Sequence, residues 1–270
     1  MDERAPFSKV SDLRNWVGMS ENGMKLYEKK GIIQPDRDAQ SGYRRLNISD
    51  GDKMFRGRVL ASYGFTIQEA ADILQLSDFS GQYDMLGEKE DAINTEMIEL
   101  SLRLQYIRGV RETMREMKQD IGACALVRPS RSFFLPVHDQ YQNKAGGVDE
   151  CGQWLSCVPY VTSAVVTEVE SLGGYGTYWY GPVIPELHAH RFHLSLENAM
   201  CIGDKSPHYV RGFCRYPLDR NLVSADCEHI FDFAEKNGKT AFGSILTKHI
   251  LLENTEDGMI TYDEILIPVK

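Results

Sequence analysis

The 270-residue chain has no apolar run approaching the length of a membrane span, and its opening MDERAPF lacks the apolar core of a secretory leader. A cytoplasmic location without a membrane partner is expected. Its six cysteines (Cys124, Cys151, Cys157, Cys201, Cys214, Cys227) show no C-x-x-C spacing. In a reducing compartment they read as free thiols, several of them buried. There is no G-x-S-x-G, no glycine-rich phosphate loop and no Cys–His pair of defined spacing. No catalytic residue and no cofactor are therefore expected. His188-x-His190-x-x-His193 is the one run that invites a metal. On a strand His188 and His190 would share a face and His193 would not, and no Cys, Asp or Glu stands beside them at ligand spacing, so no metal is expected either.

What the chain does have is a dense run of local signals from Ser8 to Leu74. Gly18 separates two helical patterns, and Ser20 is placed to cap the second. Met24 and Tyr27 fall on one side of that helix, and Asn22 and Lys25 fall elsewhere. Lys29 and Lys30 occupy its last turn, Gly31 its left-handed exit, and Pro35 blocks continuation. Ser41-Gly42 makes a turn, with Tyr43-Arg44-Arg45 on a short strand after it. Ser49 with Asp52, and Thr66 with Glu69, read as capping boxes of two further helices. A helix-turn-helix with a basic wing is a DNA-reading shape.

Charge agrees with that shape once it is divided. The net charge is −9, yet residues 25 to 58 hold nine Lys/Arg against five acids, a surplus of four. The rest of the chain therefore carries thirteen net negative charges. Basic charge collects where the reading helix and wing are expected, and the acidic remainder repels a phosphate backbone and so orients the approach.

In order and spacing, Gly18-Met19-Ser20, Lys25-Leu26-Tyr27-Glu28, Gly31-Ile32-Ile33-x-Pro35, Ser41-Gly42-Tyr43-Arg44 and Gly64-Phe65-Thr66-Ile67 before Glu69 resemble the MerR family of bacterial transcription regulators. Lys25 stands where that family usually has Arg, which keeps the charge and loses the bidentate fork. Leu46 stands where a second wing aromatic is common. The resemblance implies contacts to double-stranded promoter DNA from Ser20, Asn22, Lys25, Tyr27, Arg37, Tyr43, Arg44, Arg45 and Arg58. It also implies a homodimer that distorts a promoter with an over-long spacer so that RNA polymerase can engage both elements.

Ile93, Met97, Leu100, Leu104, Ile107, Val110, Met114, Met117 and Ile121 recur every three or four residues, with charge on the other faces. This predicts one long helix with a narrow apolar seam that needs a partner. The resemblance supplies one: family members pair this helix antiparallel with its twin. Metal-sensing relatives carry a Cys near the start of that helix. Here the stretch is Ser77-Asp78-Phe79-Ser80-Gly81-Gln82-Tyr83, without a thiol, so soft-metal sensing is not expected.

The expected fold is α+β and multidomain. Residues 1–76 form the winged helix-turn-helix, 77–121 the dimerisation helix, 122–130 a linker, and 131–270 an α+β domain. Strands are expected at Phe133–Val137, Tyr175–Tyr180, Arg191–Ser195, His208–Tyr216, Ser244–Leu252 and Ile260–Val269, with helices at Val158–Leu172 and Leu222–Lys236. The Gly174-Tyr175-Gly176 strand start, Tyr209-Val210-Arg211-Gly212-Phe213, the Asn237-Gly238 helix stop and the closing Tyr262-Asp263-Glu264-Ile265-Leu266-Ile267-Pro268-Val269 resemble the GyrI-like effector-binding domain of multidrug-sensing MerR proteins.

Aromatics crowd this domain, and on a strand Tyr178 and Tyr180 share a face while Trp179 takes the other. A small organic effector is expected to meet Tyr160, Tyr175, Tyr178, Trp179, Tyr180, His190, Phe192, Phe213, Tyr216 and Glu264, since aromatic walls suit flat ligands. The resemblance implies a buried Glu on the strand Phe242–Lys248. Leu246 stands about there instead, so a preference for lipophilic cations does not carry over. Two alternatives stay open: a GyrI-like hydrolase, or a protein-interaction domain, fused to a DNA-binding head.

Overall fold

The computed structural model describes residues 10–37, 40, 42, 44–76, 78–172, 176–204, 206–256 and 258–270, with the side chains of residues 10–12 and 14 excepted. The chain divides into two compact units, Met1–Leu100 and Ser101–Lys270.

In the first unit α1 (Val10–Val17) and α2 (Glu21–Lys29) are joined through Gly18, whose φ of +64° is a conformation glycine adopts without strain. Ser20 caps α2 by accepting from the Gly23 amide at 3.1 Å. The two-residue strands β1 (Asp36–Arg37) and β2 (Arg44–Arg45) form the wing, with Arg37 opposite Arg44. α3 (Ile48–Ser62) and α4 (Ile67–Gln75) follow. Thr66 and Glu69 make the reciprocal capping box of α4. The box of α3 is not Ser49 with Asp52: Asn47 accepts from the Asp50 amide, and the Asp50 carboxylate accepts from the Asn47 amide, both at 2.9 Å. Asn is as good a cap as Ser, so the helix starts two residues earlier than expected. Leu13, Met24, Ile33 and Met54, each almost fully buried, form the core of this unit with Tyr27.

α5 (Phe79–Gln119) is a single 41-residue helix. Met97, Leu100, Leu104 and Ile107 of its apolar seam are about half exposed or more in the single chain. No helix among the described residues is long and apolar enough to cross a membrane.

Among the described residues, the second unit is built on a nine-stranded sheet. Its centre is four long strands, β6 (Thr162–Glu168), β9 (His208–Pro217), β10 (Ser244–Thr255) and β11 (Gly258–Val269), in the order β9-β11-β10-β6 with every neighbour antiparallel. β3 (Ala125–Val127) adds beside β9, so the expected linker itself contains a strand. β7 (Tyr178–Pro185) adds beside β6 and carries β4 (Ser132–Phe134) and β5 (His138–Asp139); β8 (Met200–Ile202) extends β4. The α-helices described in this unit after α5 are α6 (Cys151–Leu155), α7 (Glu186–Arg191) and α8 (Glu228–Lys236).

Four of the expected elements are corrected. Residues 158–172 are not a helix, because Thr162–Glu168 is β6. Its Ala164-Val165-Val166 are buried on both faces of a central strand, and such a run has no period to tell strand from helix. Arg191–Ser195 is not a strand: α7 ends at Arg191, and a turn with His193 at φ +51° follows. His188 and His190 therefore lie on a short helix, not on a strand face. Phe133–Val137 and Tyr175–Tyr180 are strand in part only, at Ser132–Phe134 and from Tyr178 onward.

Gly181 in β7 is a packing requirement. A Cβ there would sit 1.8 Å from the Leu135 carbonyl oxygen, a backbone atom that cannot swing aside. Gly181→Ala is expected to cost about 2 kcal/mol or more through forced overpacking, read as a lower urea midpoint with unchanged slope.

Candidate nucleic-acid interface and ligand cavity

In the first unit α2 turns Met24 and Tyr27 into the core and leaves Asn22, Lys25 and Leu26 at the surface. Lys25 meets Glu21 one turn earlier at 2.9 Å, a surface pair that a phosphate displaces at little cost. The wing is tied to α2 through one carboxylate: Glu28 takes Arg44 at 2.8 Å and Arg37 at 3.2 Å. Arg44 is part-buried, and its Nε is buried without a hydrogen-bond partner. Arg45, the next residue on β2, is exposed.

The expected DNA residues thus divide. Asn22 and Lys25 of α2 and Arg37 and Arg45 of the wing are exposed. Ser20 is the cap of α2. Tyr27 is 5% exposed, and its ring fills the space above Gly57. Arg58 donates from Nη1 to the Val17 and Gly18 carbonyls, the latter at 2.8 Å, and so braces the turn between α1 and α2. Tyr43 lies outside the described residues.

In the second unit, strand alternation and register assign each aromatic to a face. Tyr178 and Tyr180 of β7 stand opposite Thr167 and Val165 of β6, and Tyr216 of β9 stands opposite Thr261 of β11. With Thr247, His249, Gln140 and the Leu218–Leu222 loop they line a cavity of about 350 Å³. The loop is held over the strands by the tyrosines themselves. Tyr178 Oη donates to the Leu222 carbonyl at 2.9 Å, and Tyr180 Oη donates to Asn221 Oδ1. Arg220 is pinned by a two-pronged bond to Asp226 at 2.6 and 2.8 Å, with its guanidinium over the Tyr216 ring.

Below this cavity lies Asp263, fully buried. Three side chains answer it: Tyr216 Oη donates at 2.5 Å, Thr261 Oγ1 donates at 2.6 Å, and His249 Nδ1 stands at 2.9 Å. All three line the cavity, so its polar wall is one network around one acid. Burial, then the neighbouring Asp263 charge, push the Tyr216 phenol far above the ordinary tyrosine range. A phenol with a raised folded value stabilises the fold below its unfolded value of about 10 and loses that contribution as the pH rises beyond it. Stability measured between about pH 10 and 11 is expected to fall less steeply in Tyr216→Phe than in the wild type.

The remaining expected ligand residues lie elsewhere. Trp179, Phe213 and Glu264 are on the reverse face of the sheet: Trp179 stands opposite Val166, and Phe213 opposite Glu264. Tyr160 and Phe192 pack with His188 in an aromatic cluster, with Tyr160 stacked on the imidazole at 4.5 Å. His190 is exposed and faces Glu186 at 3.7 Å. Tyr175 lies outside the described residues. Burial raises the Glu264 carboxyl, but Lys248 and Arg211 outweigh burial and hold it below the usual range. Sequence reasoning passes over Asp263, His249 and Thr261. The available signal is an acid at an inward position of the period-two run from Ile260 to Val269.

No family profile matches the chain. Over 69 residues, 26% of its length, it is 33% identical to a probable heavy metal-dependent transcriptional regulator of Haemophilus influenzae, of which the match covers 54%. Over 67 residues it is 24% identical to the HTH-type transcriptional regulator CueR of Escherichia coli, covering 50% of that protein. The chain thus spans about half the length of the curated relatives it matches. Among solved structures, one of an EcmrR–DNA complex is 16% identical, with 97% of this chain and 99% of that one covered and a TM-score of 0.39. A hydrolase from Listeria innocua is 9% identical, with 58% of this chain and 98% of that one covered and a TM-score of 0.32.

Proposed function

We propose that this chain, whose head carries the sequence signature and winged helix-turn-helix of MerR-type regulators, is a ligand-responsive transcription regulator acting on promoter DNA as a homodimer. The observation that carries the reading is the surface formed by Asn22 and Lys25 on α2 beside Arg37 and Arg45 on the wing. It puts cations where a major-groove helix and a flanking backbone contact need them. Lys25, Arg37 and Arg45 set register on phosphates, and the exposed side of α2 reads base edges.

The half-exposed apolar seam of α5 supports pairing with a second copy, which supplies the two heads that a two-fold site requires. The cavity walled by Tyr178, Tyr180 and Tyr216 takes a small organic effector, and no turnover is assigned to it. A heavy-metal effector has no thiol to bind between Ser77 and Tyr83. The effector shifts the dimer only in proportion to its preference for one of two geometries. The activating geometry distorts the promoter so that RNA polymerase can engage it.

Run-off transcription with purified bacterial RNA polymerase on the DNA upstream of the chain's own reading frame tests the proposal. Added protein is expected to raise the transcript. A transcript that falls with added protein contradicts the activator role, and one that never changes contradicts regulation of that promoter.

A further inference from the structure

The hydrogen-bonding polarity of the cavity walled by Tyr178, Tyr180 and Tyr216 points to the class of its ligand. At about 350 Å³ it stands at the small end of the range for ligand sites, which suits a single substituted ring. Three tyrosine rings in the lining favour a flat one.

The hydroxyl protons of the wall are already given away. Tyr178 donates to the Leu222 carbonyl, Tyr180 to Asn221 Oδ1, and Thr167 Oγ1 to the Thr177 carbonyl at 3.0 Å. Tyr216 and Thr261 donate to Asp263, one to each carboxylate oxygen. A hydroxyl that has given its proton can only accept from a ligand. His249 adds to the acceptors: with the Nδ1 proton on Asp263, the neutral imidazole has Nε2 left over as a lone pair. Gln140 is closed by the Gly176 carbonyl and the Tyr178 amide. Arg220, the cation of the lining, is neutralised by its two-pronged bond to Asp226. The wall therefore offers mostly lone pairs.

Two of the acceptors are arranged as a pair. Tyr216 and Thr261 stand opposite each other across β9 and β11 and hang on the two oxygens of one carboxylate. The complement of a two-pronged acceptor is a fork of N–H groups on one carbon.

We propose that this cavity selects a flat aryl amidine, its forked N–H groups on Tyr216 and Thr261 and its remaining N–H groups toward Tyr180 and His249. This ligand class rests on the effector reading of the same cavity. Positive charge alone does not meet it, because a quaternary ammonium has no N–H to give. A carboxylate or carbonyl edge is rejected, because an acceptor buried among acceptors stays unpaired.

Calorimetric titration of the full chain with benzamidine, benzamide and phenyltrimethylammonium tests the proposal. The edge of benzamidine is all donor, that of benzamide half donor and half acceptor, and phenyltrimethylammonium is a cation without an N–H. The wild type is expected to bind benzamidine, to bind benzamide about tenfold or more weakly, and not to bind phenyltrimethylammonium. Tyr216→Phe and Tyr180→Phe keep the rings and remove one acceptor oxygen each. Tyr180 is half-buried and stands outside the Asp263 network, so its variant reports on the ligand even if Tyr216→Phe disturbs the fold. Each variant is expected to weaken benzamidine about tenfold and to narrow its lead over benzamide, which a change in packing alone would not do. No binding by the wild type, equal binding of the three compounds, or a lead untouched by both variants overturns the proposal. The effector role fails separately: benzamidine that binds as expected and leaves the run-off transcript unchanged upholds the ligand class and contradicts the regulatory use of the cavity.

Discussion

Asp263→Ala is expected to be the most damaging single substitution in the second unit. The carboxylate is wholly buried and accepts from Tyr216 and Thr261 while His249 closes the set. Removing it deprives three polar side chains of a common buried partner, at a cost of about 3–5 kcal/mol. For a unit of this size that is a fall in Tm of roughly 6–20 °C, read from near-UV circular dichroism on heating. Asp263→Asn keeps the shape and one of the two acceptor oxygens, so it is expected to lose about half as much or less. Equal melting of Asp263→Ala and wild type would show that the network contributes nothing. The same substitution opens the wall of the cavity lined by Tyr178, Tyr180 and Tyr216.

Arg58→Ala is expected to have the largest effect in the head. Arg58 lies in the basic stretch and is among the DNA contacts that the resemblance implies, but its guanidinium is spent on the Val17 and Gly18 carbonyls. Those two bonds close the end of α1 and fix the angle at which α2 leaves the turn. The expected cost is about 1–2 kcal/mol of head stability, below the range for buried charged bonds because the group is partly solvated. DNA affinity is expected to fall about tenfold as the reading helix loses its seat. The two roles part on salt. Deleting a side chain that binds phosphate lowers the slope of log K against log salt by about 1, whereas a misplaced helix weakens binding with the slope nearly unchanged. A drop in slope without a drop in stability would return Arg58 to the DNA surface.

Legibility in the sequence follows how local the governing physics is. Caps and breakers act within four residues, so Gly18, Ser20, Gly31, Thr66 and Glu69 mark the order of helices in the head. The start of α3 is less legible because two candidate boxes overlap, Asn47 with Asp50 and Ser49 with Asp52, and only the chain's entry angle chooses between them. Strand alternation correctly puts Tyr178 with Tyr180 and Trp179 opposite. It does not say which face holds the cavity, since that depends on which strands become neighbours. Tyr216 joins Tyr178 and Tyr180 only because β9, β11, β10, β6 and β7 stand in that order. Glu264 draws notice as an acid of the last strand, yet its neighbour Asp263 faces the tyrosines and Glu264 faces Lys248 and Arg211. A one-residue difference in a period-two element changes the face, and the pairing that fixes it is long-range. Residues 158–172 mislead for a related reason: a run buried on both sides carries no alternation to read.

Whether the head is a DNA-reading surface is tested most directly by the salt dependence of duplex binding. Affinity of the full chain for its own upstream duplex and for a scrambled duplex is measured by fluorescence anisotropy across a series of salt concentrations, for wild type, Lys25→Ala and Arg45→Ala. An interface made of α2 and the wing predicts a preference for the upstream duplex and a steep loss of affinity with salt. It also predicts that each substitution lowers the slope by about 1. Binding that ignores salt, or a slope unmoved by both substitutions, would contradict the assignment of α2 and the wing as the DNA interface.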